Sequence, residues 1–268
     1  MRRLLPTLLA FGCGRHIEGL DPLAWDAVVV NDVGDAQVLD ARSPAAWAAG
    51  HVQGAASLHW RELMGRGEDG LWGPLPRETL AALLGARGIR DDRPIVIYGE
   101  GPDGGGDDGN VYWALRWLDH PDVRVLNGGM LGWVADGHTP TLSPAPSPTT
   151  YIAGHDPSVL ATTADVADWD GPIIDVRSAE EYDAGHIPGA VWREWTDVYS
   201  GFSVAAEDEV ADVWAEVGAV PGSHPVVYCE AGIRAGHSFM MLDAMGIPAA
   251  NYAGSWSRWT AEDMPIAR

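Results

Sequence analysis

The sequence predicts an α/β protein of two similar domains, each a mainly parallel sheet flanked by helices. Three observations carry that expectation: an internal repeat, strand–helix alternation within each copy, and a Pro-rich segment between the copies. The chain has 268 residues, enough for two domains that each bury a core of ordinary size.

The repeat is read first, because self-similarity decides how everything else is grouped. Asp40-Ala41-Arg42-Ser43 recurs as Asp175-Val176-Arg177-Ser178, an offset of 135. Ala49-Gly50-His51-Val52-Gln53-Gly54-Ala55 recurs at the same offset as Ala184-Gly185-His186-Ile187-Pro188-Gly189-Ala190. Val96-Ile97-Tyr98 matches Val226-Val227-Tyr228 at 130, and Gly128 and Trp133 match Gly254 and Trp259 at 126. The order is kept while the offset shrinks, as in a duplicated domain whose loops have drifted in length.

Within each copy, short β-branched runs have strand length and composition: 36–39, 95–98 and 123–126, then 172–176 and 226–228. Helical stretches lie between them at 77–86, 111–119, 207–217 and 235–245. Such alternation implies a parallel sheet covered on both faces, with sites at the carboxyl ends of strands. Residues 138–150 contain Pro140, Pro144, Pro146 and Pro148 among Ser and Thr, a composition that suits a stiff extended linker. The expected division is an N-terminal segment 1–19, a first domain 20–137, the linker 138–150 and a second domain 151–268.

Composition narrows the chemistry. The formal charge of −21 argues against nucleic acid or anionic lipid as the main partner, since both need a basic footprint. All 17 basic residues are Arg, so Schiff-base chemistry on lysine and a P-loop lysine are excluded. Two cysteines, Cys13 and Cys229, make neither a disulfide framework nor a cysteine-rich zinc site. The first of them follows Arg2-Arg3, an apolar run 4–11 and Gly12, a pattern similar to a bacterial lipoprotein leader. Two readings stay open there: a lipid anchor at Cys13 with an envelope or periplasmic location, or an incidental Cys in a cytoplasmic protein.

Cys229 is the chemically informative one. It directly follows the strand run 225–228 and precedes Glu230-Ala231-Gly232-Ile233-Arg234 and a helical run. A strand, a tight loop and a helix start surround the sulfur with backbone N–H groups and the positive helix end. That setting favours thiolate, the nucleophilic form. Gly232 permits the loop's close curl, and Arg234 adds a fixed positive charge. The alternative is a buried, inert Cys ending a strand.

These motifs, with the run 252–259 (Tyr-Ala-Gly-Ser-Trp-Ser-Arg-Trp), resemble the tandem-domain rhodanese family of thiosulfate and 3-mercaptopyruvate sulfurtransferases. The resemblance implies two rhodanese-like domains, with catalysis in the second and a degenerate first copy. It further implies double displacement: Cys229 takes sulfane sulfur from a small anionic donor and passes it to a thiol or cyanide acceptor, with no metal or organic cofactor. The first copy agrees, having Tyr98-Gly99-Glu100 and no cysteine at the matching place, then a Gly- and Asp-rich stretch 101–109 that reads as a flexible loop facing the domain interface.

The remaining candidate site residues each have two competing roles. Arg177 matches the family position that helps hold the donor, yet Arg42 repeats it in the copy without cysteine. Pairing with Asp175 or Glu181 is therefore the competing role. His51 repeats His186, which favours structure over substrate binding, and Trp256 is a candidate pocket wall. Thiosulfate-preferring relatives often place cations after the cysteine, where Glu230 and Ala231 stand here. Mercaptopyruvate enzymes typically read Cys-Gly-Ser-Gly, and Ala231 takes the place of that Ser. Arg234 turns the balance toward thiosulfate or a persulfide donor, with 3-mercaptopyruvate as the alternative. A phosphatase or arsenate reductase of the related branch needs five residues between Cys and Arg. Here Glu230 to Ile233 makes four. A sulfur carrier at the envelope with a protein acceptor is the non-catalytic alternative.

Overall fold

The computed structural model describes residues 22–268; the leader-like segment and Cys13 lie outside the described residues. The first domain begins with α1 (Pro22–Val28) and β1 (Val29–Val30), followed by β2 (Gln37–Asp40), α2 (Pro44–Ala49) and β3 (Ala56–Ser57). A hairpin of β4 (Met64–Arg66) and β5 (Trp72–Pro74) leads to α3 (Arg77–Ala86), β6 (Ile95–Tyr98), α4 (Asp107–Trp117), β7 (Val123–Leu126) and α5 (Gly129–Ala135). The second domain runs through α6 (Thr163–Ala167), β8 (Ile173–Asp175), α7 (Ala179–Ala184), β9 (Val191–Trp192) and a hairpin of β10 (Tyr199–Ser200) and β11 (Ser203–Val204). It ends with α8 (Glu207–Ala215), β12 (Val226–Tyr228), α9 (Ile233–Ala244), β13 (Ala250–Asn251) and α10 (Ser255–Ala261).

Both sheets are parallel throughout, in the orders β1-β7-β6-β2-β3 and β13-β12-β8-β9. The second order reproduces the last four strands of the first. Leu160, in a parallel bridge to Asn251, stands where β1 stands in the first copy. The central strands β6 and β12 are buried at every residue, which is why their sequences are continuous apolar runs rather than alternating ones.

The helices that follow those central strands, α4 and α9, pack against each other and join the domains. Their backbones meet at glycine. A Cβ on Gly109 would lie 2.1 Å from the Cα of His237, and one on Gly236 would lie 2.8 Å from the Cα of Asn110. Gly109 and Gly236 precede equivalent residues of the two copies, so the contact is self-complementary, like that of a two-fold dimer written into one chain.

The stretch 101–109 differs from its expectation as a flexible loop. It forms a short turn at 102–104, and α4 starts at Asp107, four residues earlier than the apolar pattern suggests. Asp107, Asp108 and Gly109 are buried between the domains, where packing on α9 outweighs their low helix propensity. Residues 138–150 carry no helix, and Thr141 bridges back to His51.

Candidate active site

Cys229 is the first residue past β12 and is 1% exposed. Its Sγ accepts a hydrogen bond from the Gly232 N–H at 3.2 Å, the last amide before α9 begins. Gly232 adopts φ +87°, and a Cβ there would lie 2.5 Å from the Ala253 carbonyl oxygen, so the curl that aims this amide requires glycine. The positive end of the 12-residue helix α9 thus faces the sulfur.

Arg234, in the first turn of α9, lies beside that sulfur and binds Glu181 in bidentate fashion, at 2.7 and 2.8 Å. Burial acts to lower its pKa, but the hydrogen bonds it donates to Glu181 and the charge and hydrogen bond of Cys229 outweigh that and raise it. Glu181 is in turn held at about 2, chiefly by its hydrogen bonds from Arg234. A permanent cation therefore stands next to the thiol, with one carboxylate fixing its orientation.

Arg177 is placed differently. Its Nε and Nη2 bind both oxygens of Asp175, Nη2 also reaches the Gly185 carbonyl at 2.7 Å, and Nη1 lies 3.9 Å from Glu230. Trp256 covers the guanidinium, 4.6 Å from centroid to Cζ, so this candidate wall residue packs on Arg177. Arg42 makes the same bonds to Asp40, Gly50 and Glu100 in the copy without cysteine. His186 stacks on Tyr182 at 3.8 Å and binds the Tyr182 carbonyl, as His51 does with Trp47. Of the loop residues, Glu230 points outward, half exposed, and accepts from Ser257 Oγ at 2.7 Å. Its charge is thereby turned away from the sulfur. Ala231 lines a cleft between the domains, and Ile233 starts α9 with its carbonyl against Gly106 of the first domain.

Known proteins place the chain in a family. The Rhodanese-like domain model matches the chain twice, over residues 28–136 and 157–262. The chain belongs to the rhodanese-like domain family. Thiosulfate sulfurtransferase of Pseudomonas aeruginosa is 30% identical over 253 residues, covering 85% of this chain and 90% of that protein. Sulfur carrier protein TtuD of Thermus thermophilus is 29% identical, with 82% and 86% covered. The crystal structure of the 3-mercaptopyruvate sulfotransferase SseA from Escherichia coli superposes with a TM-score of 0.72 at 24% identity, covering 82% of this chain and 92% of that one. At that identity the superposition speaks for the fold alone. The chain is a sulfurtransferase of the tandem rhodanese type.

The two rhodanese copies show what separates a thiol-bearing loop from one without a thiol. Gly99 occupies the position of Cys229, and Asp107 that of Arg234, counting along equivalent helices. A Cβ on Gly99 would lie 2.2 Å from Asp107 Oδ1, so the Asp107 carboxyl fills the room a thiol would need. Burial, with Asp108 next to it, raises the Asp107 pKa. The second copy sets a cation beside a thiol, whereas the first sets a carboxyl in the thiol's place.

Three residues of the site are not among the candidates that the sequence singles out. Ser255 adopts φ +53°, accepts the Cys229 N–H at 3.0 Å and donates to the Tyr252 carbonyl at 2.8 Å. The Nδ2 groups of Asn251 and of Asn110, the latter from the first domain, both donate to the Gly232 carbonyl, at 3.3 and 3.4 Å. Ser255 and Asn251 stand where the first copy has Gly129 and Val125. A polar residue replacing an apolar one between copies is the signal that points to them. Among the described residues, no group of three or more His, Cys, Asp or Glu is placed to hold a metal. A second hollow of about 530 Å³, lined by Trp169, Pro172, Ile187 and Trp259, contains no ionisable side chain and does not include Cys229.

Proposed function

We propose that this sulfurtransferase moves sulfane sulfur from thiosulfate, or a related anionic donor, to a thiol or cyanide acceptor through a persulfide on Cys229. The observation that carries the reading is the pairing of Cys229 with the Gly232 amide and the Arg234 guanidinium at the head of α9. Cys229 thiolate attacks the outer sulfur of the donor. The sulfur–sulfur bond of thiosulfate breaks, its electron pair leaves with sulfite, and Cys229 keeps the sulfur. The acceptor then removes that sulfur and returns the cysteine to thiolate. Arg234 stabilises the anion that arrives, while Arg177 holds the loop through Asp175 and Gly185. The similarity to the thiosulfate sulfurtransferase of P. aeruginosa supports thiosulfate as the donor, as does Ala231 in place of a proton-transferring Ser.

The test is a donor panel of thiosulfate, mercaptopyruvate and an aryl phosphate, with cyanide as acceptor, on wild type and Cys229→Ser. The expected result is the highest kcat/KM with thiosulfate, lost by about a thousandfold or more in Cys229→Ser. Aryl phosphate turnover that disappears in Cys229→Ser, with no sulfur transfer in wild type, would overturn the reading.

A further inference from the structure

The arginines around the loops of this acidic chain are tied to carboxylates: Arg42 to Asp40, Arg177 to Asp175, Arg234 to Glu181 and Arg258 to Asp69. Two exposed arginines that stand together are not. Arg61 lies over the ring of Trp60, 5.1 Å from its centroid, and Arg66 donates to the Gly70 carbonyl at 2.6 Å. Neither has a carboxylate at ion-pair distance among the described residues.

Both arginines line a cleft of about 560 Å³ whose other walls include Trp60 and Trp72 of the first domain and Ala231 and Ser257 of the second. Ala231 belongs to the Cys229 loop, and Ser257 holds Glu230 of the same loop. The cleft therefore runs from the β4–β5 hairpin of the copy without a thiol to the edge of the sulfur-bearing loop. Its volume is that of a small-molecule site, and far larger than a small inorganic donor fills. Against a net charge of −21, two uncompensated cations over apolar walls form a local positive field that concentrates anions.

We propose that this cleft is the acceptor subsite and takes a peptide thiol carrying at least two carboxylates. Arg61 and Arg66 bind the carboxylates, and the indoles of Trp60 and Trp72 pack on the peptide. This rests on the persulfide reading above. The acceptor thiol loses its proton to solvent, and its thiolate attacks the outer sulfur of the Cys229 persulfide. A new sulfur–sulfur bond forms on the acceptor. The bond to Cys229 breaks with its electron pair, leaving Cys229 thiolate and a peptide persulfide, with no net oxidation.

The experiment uses the full chain with saturating thiosulfate, and compares glutathione with cyanide as acceptor in wild type and Arg61→Gln/Arg66→Gln. The glutathione-to-cyanide ratio of kcat/KM is expected to fall about tenfold in the double variant, and the loss should shrink at high salt. Persulfide formation on Cys229 is read by mass in both proteins. If the persulfide forms and the ratio is unchanged, this inference fails and the sulfurtransferase reading stands. A wild type that passes sulfur to cyanide but not to glutathione would also overturn it, as would an effect confined to the thiosulfate KM. If no persulfide forms in wild type, the underlying reading fails instead.

Discussion

Arg177→Met separates the two roles that the sequence allows for this residue. Methionine keeps much of the stem's volume but removes the guanidinium. Asp175, which is 0% exposed, would retain only the Tyr228 hydroxyl at 2.6 Å and the Arg177 backbone N–H, now that of Met, at 3.0 Å. Leaving a buried charge without its partner costs about 3–5 kcal/mol. The lost bond to the Gly185 carbonyl and the lost contact with Trp256 act on the same loop and are not added separately. Against a total stability of about 5–15 kcal/mol, a loss of that size is large. Urea unfolding followed by tryptophan fluorescence reads it directly. Arg42→Met is the internal control. It breaks the same bonds in the copy without a thiol and should lose a similar amount. A loss below about 1 kcal/mol together with a donor KM raised tenfold or more would refute the reasoning and make Arg177 a donor-binding residue.

Two further outcomes follow from the domain interface. Burial and Asp108 raise the Asp107 pKa, so the folded state binds a proton that the unfolded chain has released. Stability from this group therefore falls as pH rises above the unfolded carboxylate value of about 4. Asp107→Asn lacks that fall. Its stability advantage over wild type, measured by urea unfolding, should grow between about pH 5 and about pH 9, and a constant difference would contradict the burial argument. Gly109→Ala forces a Cβ to within 2.1 Å of the His237 Cα and must part α4 from α9. A loss of about 1–3 kcal/mol with reduced sulfur transfer is expected, and an unchanged urea midpoint would show that the helices do not meet there.

Much of the fold could be read from residue patterns because the duplication supplies two views of each element. The strands Ile95–Tyr98 and Val226–Tyr228 are continuous apolar runs rich in β-branched residues, as fully buried parallel strands must be. The two-residue strands Val29–Val30 and Ala250–Asn251 are too short to show any periodicity. The start of α4 was hidden because Asp107, Asp108 and Gly109 are poor helix formers, held helical by their packing on α9.

The site divides in the same way. Cys229, Gly232 and Arg234 are close in sequence, and a strand-loop-helix frame brings them together without tertiary information. Arg177 could not be assigned from sequence, because a residue repeated in both copies can serve loop geometry in both. Glu181 was visible only as a neighbour of Arg177, although it pairs with Arg234. Ser255 and Asn110 reach the loop from remote segments, one of them in the other domain.

The most direct test of the central claim is intact-mass measurement of the full chain after incubation with thiosulfate and removal of the donor. The account requires a gain of about 32 Da, one sulfur atom, that is absent in Cys229→Ala and is discharged by cyanide. An unchanged mass in wild type with every sulfur donor, or the same gain in Cys229→Ala, would contradict it.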